Sequence, residues 1–501
     1  MCPSACGAFR QRKNKIEQSF DERGRGLIRK KEYLILAVVF VAALVVGGII
    51  ALAVYGVDRN SIAVSASARA EIGSAAPVVN EVPDFAGYTL TVLCDAAGSD
   101  AFAVQRENET SISRAVAMRD RHLCAETGVE IRATVAADFL TAARESLLSG
   151  DGAYQLYAAD AAGALAPLMV ENGLCDLSAD SRVTRDGAGV FVSAVDGLSI
   201  YGKRYLLAAT AQDVYRGVYC VAYNRRLAEE LADLFPDGQS LPAAALDGTF
   251  TLEQLAVAAR AAQAAYPDEE RGMESADVAA LDVQARFYGL ALDVRSVFPL
   301  AFGVGGGFIE VLRGSPSVIE YERLSAVTDA LRPLLTDAAT SLVGDDFFAG
   351  GSLFCICKIG DIAAGRATLG DVGILPMPKG SAAEPYRAYL ELRGTPLLAL
   401  PRGADVLRTT YLCDRAAFLS RGYVEPLLRR SITGDSADDG AVLSLIEGSI
   451  AADLTGLLGY GDIPSYYAAA AQGSFSAPHL EYYNRKTFYE KALSIIEKRL
   501  K

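Results

Sequence analysis

Tryptophan is absent from this chain, histidine occurs only at His122 and His479, and there are five methionines in 501 residues. So few histidines exclude most zinc sites and most histidine-based catalysis before any motif is sought. Without tryptophan, the largest ring for stacking against a ligand face is also missing. Catalytic signatures are lacking too: there is no G-x-S-x-G, no H-E-x-x-H and no P-loop. Residues 303–307, GVGGG, match neither glycine-rich phosphate pattern and read as a flexible turn. The adjacent acids Asp345-Asp346 and Glu269-Glu270 read as solvated surface, because glycoside hydrolysis needs carboxylates set apart across a substrate. Positive charge is in deficit: the formal net charge is −13, which argues against a nucleic-acid partner.

Against these absences stands a long uncharged run. Residues 33–57 contain no charged side chain, and at about 1.5 Å per residue they are long enough to span a bilayer. Nine Lys and Arg against four Asp and Glu precede the run, so the positive-inside bias places residues 1–32 in the cytoplasm as a basic tail and the remainder outside. A cleaved signal peptide competes with this reading, since VSASARA at 64–70 offers small residues. The run, however, exceeds the roughly 7–15 residues of a signal-peptide core. We therefore expect a retained, single-pass membrane anchor with the N-terminus inside, followed by a tether at 58–85 rich in Ala, Ser and Val. Taking away the +5 of the tail leaves −18 on the exported part, a surface suited to solubility and not to anionic lipid. That part holds seven of the nine cysteines, an odd number at wide spacings and not a disulfide framework. Cys355 and Cys357 read as small buried hydrophobes in a strand.

Beyond residue 85 strands and helices alternate. Residues 88–94 (YTLTVLC), 129–135 (VEIRATV) and 154–158 (YQLYA) read as strands, and 111–126, 138–149 and 161–172 as helices ended by Gly128, Gly150 and Gly173. Such alternation implies right-handed crossovers and a mainly parallel sheet. Residues 200–206 (IYGKRYL) read as a hairpin around Gly202, and 218–227 (VYCVAYNRRL) as a strand running into a helix. Thr251 with Gln254 forms a capping box. Strand character returns at 352–357 (SLFCIC) and 372–375 (VGIL). Pro376 and Pro378 stop the latter, since proline cannot donate to a ladder. Lys379 behind them reads as solvated. The final helix, 486–500, is expected to bury Phe488, Ala492, Ile495, Ile496 and Leu500 on one stripe.

Six stretches in this order resemble the extracellular solute-binding proteins (family 1 type) of ABC importers, in particular a group found in clostridia-like bacteria. They are YQLYAADAAGALAPLMVENGLCDLS, YGKRYLL, AYNRRL, DGTFTLEQL, DDFFAGGSLFCIC and DVGILPMPKG. Arg225 stands where the family usually has Lys, Phe250 where it has Trp, and no lipid-anchor cysteine is present. The resemblance implies an α/β chain with the two-lobed periplasmic-binding-protein-like fold (type II) and inter-lobe crossovers, preceded by one transmembrane helix. Lobe one would comprise 86–212 and 353–402, lobe two 213–352 and 403–501. It further implies hinge closure on a small polar solute, an oligosaccharide, and delivery to an ABC permease, with no catalytic residue and no cofactor. Ligand-binding candidates are Asp95 and Asp160 at strand ends, Tyr215, Tyr219, Phe302 and Phe354 as stacking rings, and Arg393 and Thr395 before the returning strand. An amino-acid or peptide ligand would want an Arg–Asp pair, and Arg393 with Asp95 leaves that open. Two rivals stay open as well: an extracytoplasmic glycan hydrolase or lyase, and a solute sensor or scaffold on the same fold.

Overall fold

The computed structural model of the chain describes residues 83–102, 110–182, 191–208, 211–231, 239–266, 287–342, 347–459 and 462–500. The basic tail, the 33–57 anchor, the tether up to residue 82 and both acidic pairs lie outside the described residues. Among the described residues no helix is long and apolar enough to cross a membrane. The tether ends sooner than expected. Phe85 is already docked: its N–H donates to Thr127 O and its ring meets Tyr411 edge-on at 5.5 Å.

Nine strands make two sheets: β1 (Thr89–Cys94), β2 (Glu130–Val135), β3 (Leu156–Asp160), β4 (Tyr219–Asn224), β5 (Tyr288–Leu292), β6 (Thr340–Ser341), β7 (Ser352–Lys358), β8 (Val372–Leu375) and β9 (Pro396–Ala399). Lobe one is the sheet β9-β3-β1-β2, parallel except for β9. Lobe two is the sheet β8-β4-β7-β5-β6, in which β5, β6 and β7 are parallel and β4 and β8 antiparallel to their neighbours. Local chemistry sets the element ends. Thr110 accepts from Ser113 N to open the helix Ser111–Thr127, and Asp138 accepts from Thr141 N to open Phe139–Ser149. The expected hairpin forms, with Tyr201 and Gly202 both at positive φ between bridged Ile200 and Lys203.

Among the described residues the chain crosses between lobes three times. The helix Ala211–Gly217 leads into β4, residues 390–395 lead back to β9, and the turn at Val424 joins the helices Val406–Tyr423 and Glu425–Thr433. The first two crossings lie side by side: Val218 and Leu390 are bridged, and Glu391 N donates to Gly217 O at 2.9 Å. Glycine is required at 217, because a Cβ there would stand 2.2 Å from Thr395 Oγ1 and 2.4 Å from Glu391 O.

These contacts correct the expected lobe boundaries. Residues 353–402 do not all belong to lobe one: β7 sits between β4 and β5, and β8 pairs with β4, so both strands are lobe-two core. Nor is 403–501 all lobe two, since the helix Val406–Tyr423 packs on Ser111–Thr127 around Leu412, Cys413 and Ala416. Run hydrophobicity marks a buried strand without saying which sheet it joins. Two smaller corrections follow. The last helix spans Pro478–Leu500 and buries Tyr482, Tyr489, Ala492, Leu493 and Ile496, leaving Phe488 at the surface. Lys379 is buried, not solvated: Nζ donates to Ala382 O and Glu384 O, both at 2.9 Å, 4.7 Å from the Tyr386 ring centre. The proline-bounded stop after β8 therefore leads into a lysine-pinned loop.

Candidate functional site

A cavity of about 560 Å³ opens where β5 and β7 end against the paired crossings. Ligands in α/β folds collect outside the carboxyl ends of strands. Asp293, just past β5, accepts from Arg295 N at 2.7 Å and shapes a one-turn helix, Val294–Ser296, that sets Arg295 at the cavity wall. The helix Val297–Gly303 follows and brings in Phe298. Tyr219, the first residue of β4, Tyr389 just before the second crossing, and Glu391 and Arg393 within it complete this side. Asp462 and the start of the helix Ile463–Ala471 close the other.

Tyr389 is the hub of an aromatic cluster. Its ring centre lies 5.2 Å from Phe298, 5.2 Å from Phe302 and 6.3 Å from Tyr219. The first two contacts are edge-to-face, the arrangement the ring quadrupoles favour. Glycine at 456 leaves room for this hub, since a Cβ there would come within 2.6 Å of Tyr389 Oη.

Glu391 ties the crossing to lobe two. It pairs with Lys358 Nζ at 2.6 Å and accepts from Tyr219 Oη at 3.2 Å, while Lys358 Nζ lies 5.7 Å from the Tyr219 ring centre. Burial, then the Glu391 carboxylate, pushes the Tyr219 hydroxyl well up, so it stays protonated and donates. Arg295 and Arg393 are exposed, and neither is in an ion pair among the described residues. The wall thus offers guanidinium and carboxylate edges, groups that bind hydroxylated molecules by forked hydrogen bonds, beside an aromatic cluster whose rings are at most 6% exposed. Among the described residues no group of three His, Cys, Asp or Glu is placed to hold a metal ion.

Of the eight sequence-predicted residues, the structure brings Tyr219 and Arg393 together in this cavity. Asp95 and Asp160 sit at the ends of β1 and β3 as expected, but their oxygens serve the backbone. Asp95 accepts from Gly98 N at 2.7 Å and Asp160 N at 2.8 Å, and Asp160 accepts from Ala162 N and Gly163 N at 3.1 and 3.0 Å. Phe302 is 2% exposed, with the Arg387 guanidinium 4.0 Å from its ring centre. Three candidates are structural and are corrected here. Phe354 is 0% exposed in β7, the middle of a sheet covered on both faces. Buried Tyr215 donates to the Glu447 carboxylate, which Arg429 also grips, away from the cavity. Buried Thr395 donates to Glu391 O and stabilises the crossing. Sequence reasoning missed Arg295, Phe298, Tyr389, Glu391 and Asp462. The strand-end rule applied to YGLAL would have pointed to Arg295. The other four carry no local signal.

Two main sheets, the crossings between them and a cavity at the strand ends give the described residues a two-lobed α/β fold. No protein-family model matches the chain, and no curated protein matches it. Solved structures do match in fold. One is a protein of Listeria monocytogenes EGD-e described as uncharacterized, with a TM-score of 0.54 at 12% identity over 81% of this chain and 100% of that one. Another is a sugar transporter of Rhizobium etli in an open conformation, with a TM-score of 0.50 at 14% identity over 82% of this chain and 98% of that one.

Proposed function

We propose that this chain is a membrane-tethered, extracytoplasmic solute-binding protein that takes an oligosaccharide between its lobes and presents it to an ABC permease. The observation that carries the reading is the cavity between lobe two and the second crossing, with Tyr219, Tyr389 and Phe298 on its wall beside Arg295 and Arg393. A sugar ring buries its apolar face on aromatic side chains while its hydroxyls bond to charged edges, and both kinds of group are present without tryptophan. The fold shared with a sugar transporter agrees with this reading. The anchor at 33–57 supplies the membrane tether and sets the binding lobes outside. The permease partner follows from the resemblance read in the six sequence stretches.

The test is a thermal-shift screen of the chain against oligosaccharides of increasing length. Saturating solute stabilises a fold by RT ln(1 + [L]/Kd), about 2.7 kcal/mol at a hundredfold excess over Kd. A sugar that raises the melting midpoint of the wild type and not of Tyr389→Ala supports the proposal. No response to any sugar would sink it. Product release from a glycan would point to the hydrolase or lyase reading instead.

A further inference from the structure

A second cavity, also about 560 Å³, shares no lining residue with the first. Both lobes wall it. Asp196, Ser199 and Arg204 come from lobe one, and Phe302, Glu310 and Arg323 from lobe two, with Arg387 and Asp453 from the chain around the second crossing. Its charges sort into pairs with one remainder. Arg204 bonds Asp196, and Arg323 pairs with Glu310 at 2.7 Å and donates to Gly305 O at 3.2 Å. Arg387 and Asp453 are left over. Each feels the other's charge, yet no direct ion pair joins them among the described residues.

Arg387 has five N–H donors, and one hydrogen bond among the described residues, from Nη1 to Gly306 O at 3.3 Å. Its guanidinium lies against Phe302, a ring that gives no acceptor lone pair. Burial pulls its proton affinity down. Asp453 is 4% exposed and accepts from Thr455 N at 2.6 Å and Phe308 N at 3.4 Å, and burial pushes its carboxyl up. Each carboxylate oxygen has two acceptor sites, so these bonds leave capacity. A desolvated cation and a desolvated carboxylate thus border one space. A neutral polyol would leave both charges without a direct ionic partner, and a simple anion would meet repulsion from Asp453.

We propose that this cavity is a second ligand site, for a free α-amino acid whose carboxylate binds Arg387 and whose ammonium group binds Asp453. It is independent of the sugar reading and stands or falls separately.

The experiment is isothermal titration of the full chain with each of the twenty standard amino acids, with sodium acetate and methylammonium chloride as half-ligands. At least one amino acid is expected to bind and neither half-ligand to do so. Arg387→Gln, checked for native circular dichroism, is expected to weaken that binding about tenfold or more, as loss of a charge-assisted contact should. Arg387→Lys should recover part of it, and Arg393→Ala in the first cavity should leave it unchanged. No binding by any amino acid overturns the proposal. So does acetate binding as tightly as an amino acid, or binding that survives Arg387→Gln in a folded protein. Binding lost in Arg393→Ala would place the amino acid in the first cavity and overturn it equally.

Discussion

In lobe one the carboxyl ends of β1 and β3 carry Asp95 and Asp160; in lobe two the ends of β5 and β7 lead to Arg295 and Lys358. The short carboxylates reach back and accept from amides of their own loops, at Gly98, Asp160, Ala162 and Gly163. The long cations cannot do this. Backbone N–H groups are donors like themselves, so a cation at a strand end must look outward for a carboxylate, a carbonyl or a solute hydroxyl. Lys358 finds Glu391, and Arg295 stays at the cavity wall. One positional rule therefore yields a self-satisfied edge in one lobe and a contact surface in the other. Lobe one holds the geometry, while lobe two and the crossing supply the groups that line the cavity.

The largest effect that bears on this contrast is in the lobe-two core. Phe354→Ala should lower stability by about 3–5 kcal/mol, the range for emptying a buried phenylalanine site. Chemical denaturation would show it, and a loss below about 1 kcal/mol would mean Phe354 is not packed as described. Next is Asp95→Ala, which leaves two backbone donors without their acceptor and should cost about 1–3 kcal/mol. Its melting midpoint should fall while any sugar-induced shift persists. Loss of the shift at an unchanged midpoint would move Asp95 from scaffold to binding group and break the contrast between lobes. Third, Arg393→Ala should leave the unliganded midpoint within about 0.5 kcal/mol of wild type, as for an exposed side chain, while weakening sugar binding in titration calorimetry. The smallest effect is a pH dependence in lobe one. Burial pushes the Asp414 carboxyl up to about 6, and its Oδ1 has no hydrogen-bond partner among the described residues. Since this folded-state value exceeds the unfolded value of about 3.9, the stabilising contribution is complete below about pH 4 and is lost as pH rises through about 6. Melting curves across that window should show the decline, and Asp414→Asn should flatten it.

Much of the architecture was legible because it is written in local chemistry. Thr110, Asp138 and Thr251 announce helix starts as side-chain acceptors, and Tyr201-Gly202 announces a two-residue turn. What was not legible is long-range. The run SLFCIC is as apolar as a lobe-one strand would be, and only its pairing with Tyr219–Asn224 and Tyr288–Leu292 assigns it to lobe two. The site failed for the same reason. Tyr215 and Tyr219 are four apart, yet one ends on Glu447 in a helix junction and the other at the cavity wall. Tyr389 and Asp462 line one cavity across many residues of intervening chain. Asp95 and Asp160 were located correctly at strand ends, where a carboxylate serves loop amides as readily as a solute.

The paired crossings have a mechanical consequence. A register shift of one crossing past the other would break the Val218–Leu390 bridge and the bond from Glu391 N to Gly217 O. It would also carry bulkier chain into the gap that only a glycine at 217 fits. Rotation of the lobes about an axis through the pair disturbs none of these. Of the ways two bodies can move, the linkage leaves one inexpensive, as a door leaf is free to swing and not to slide.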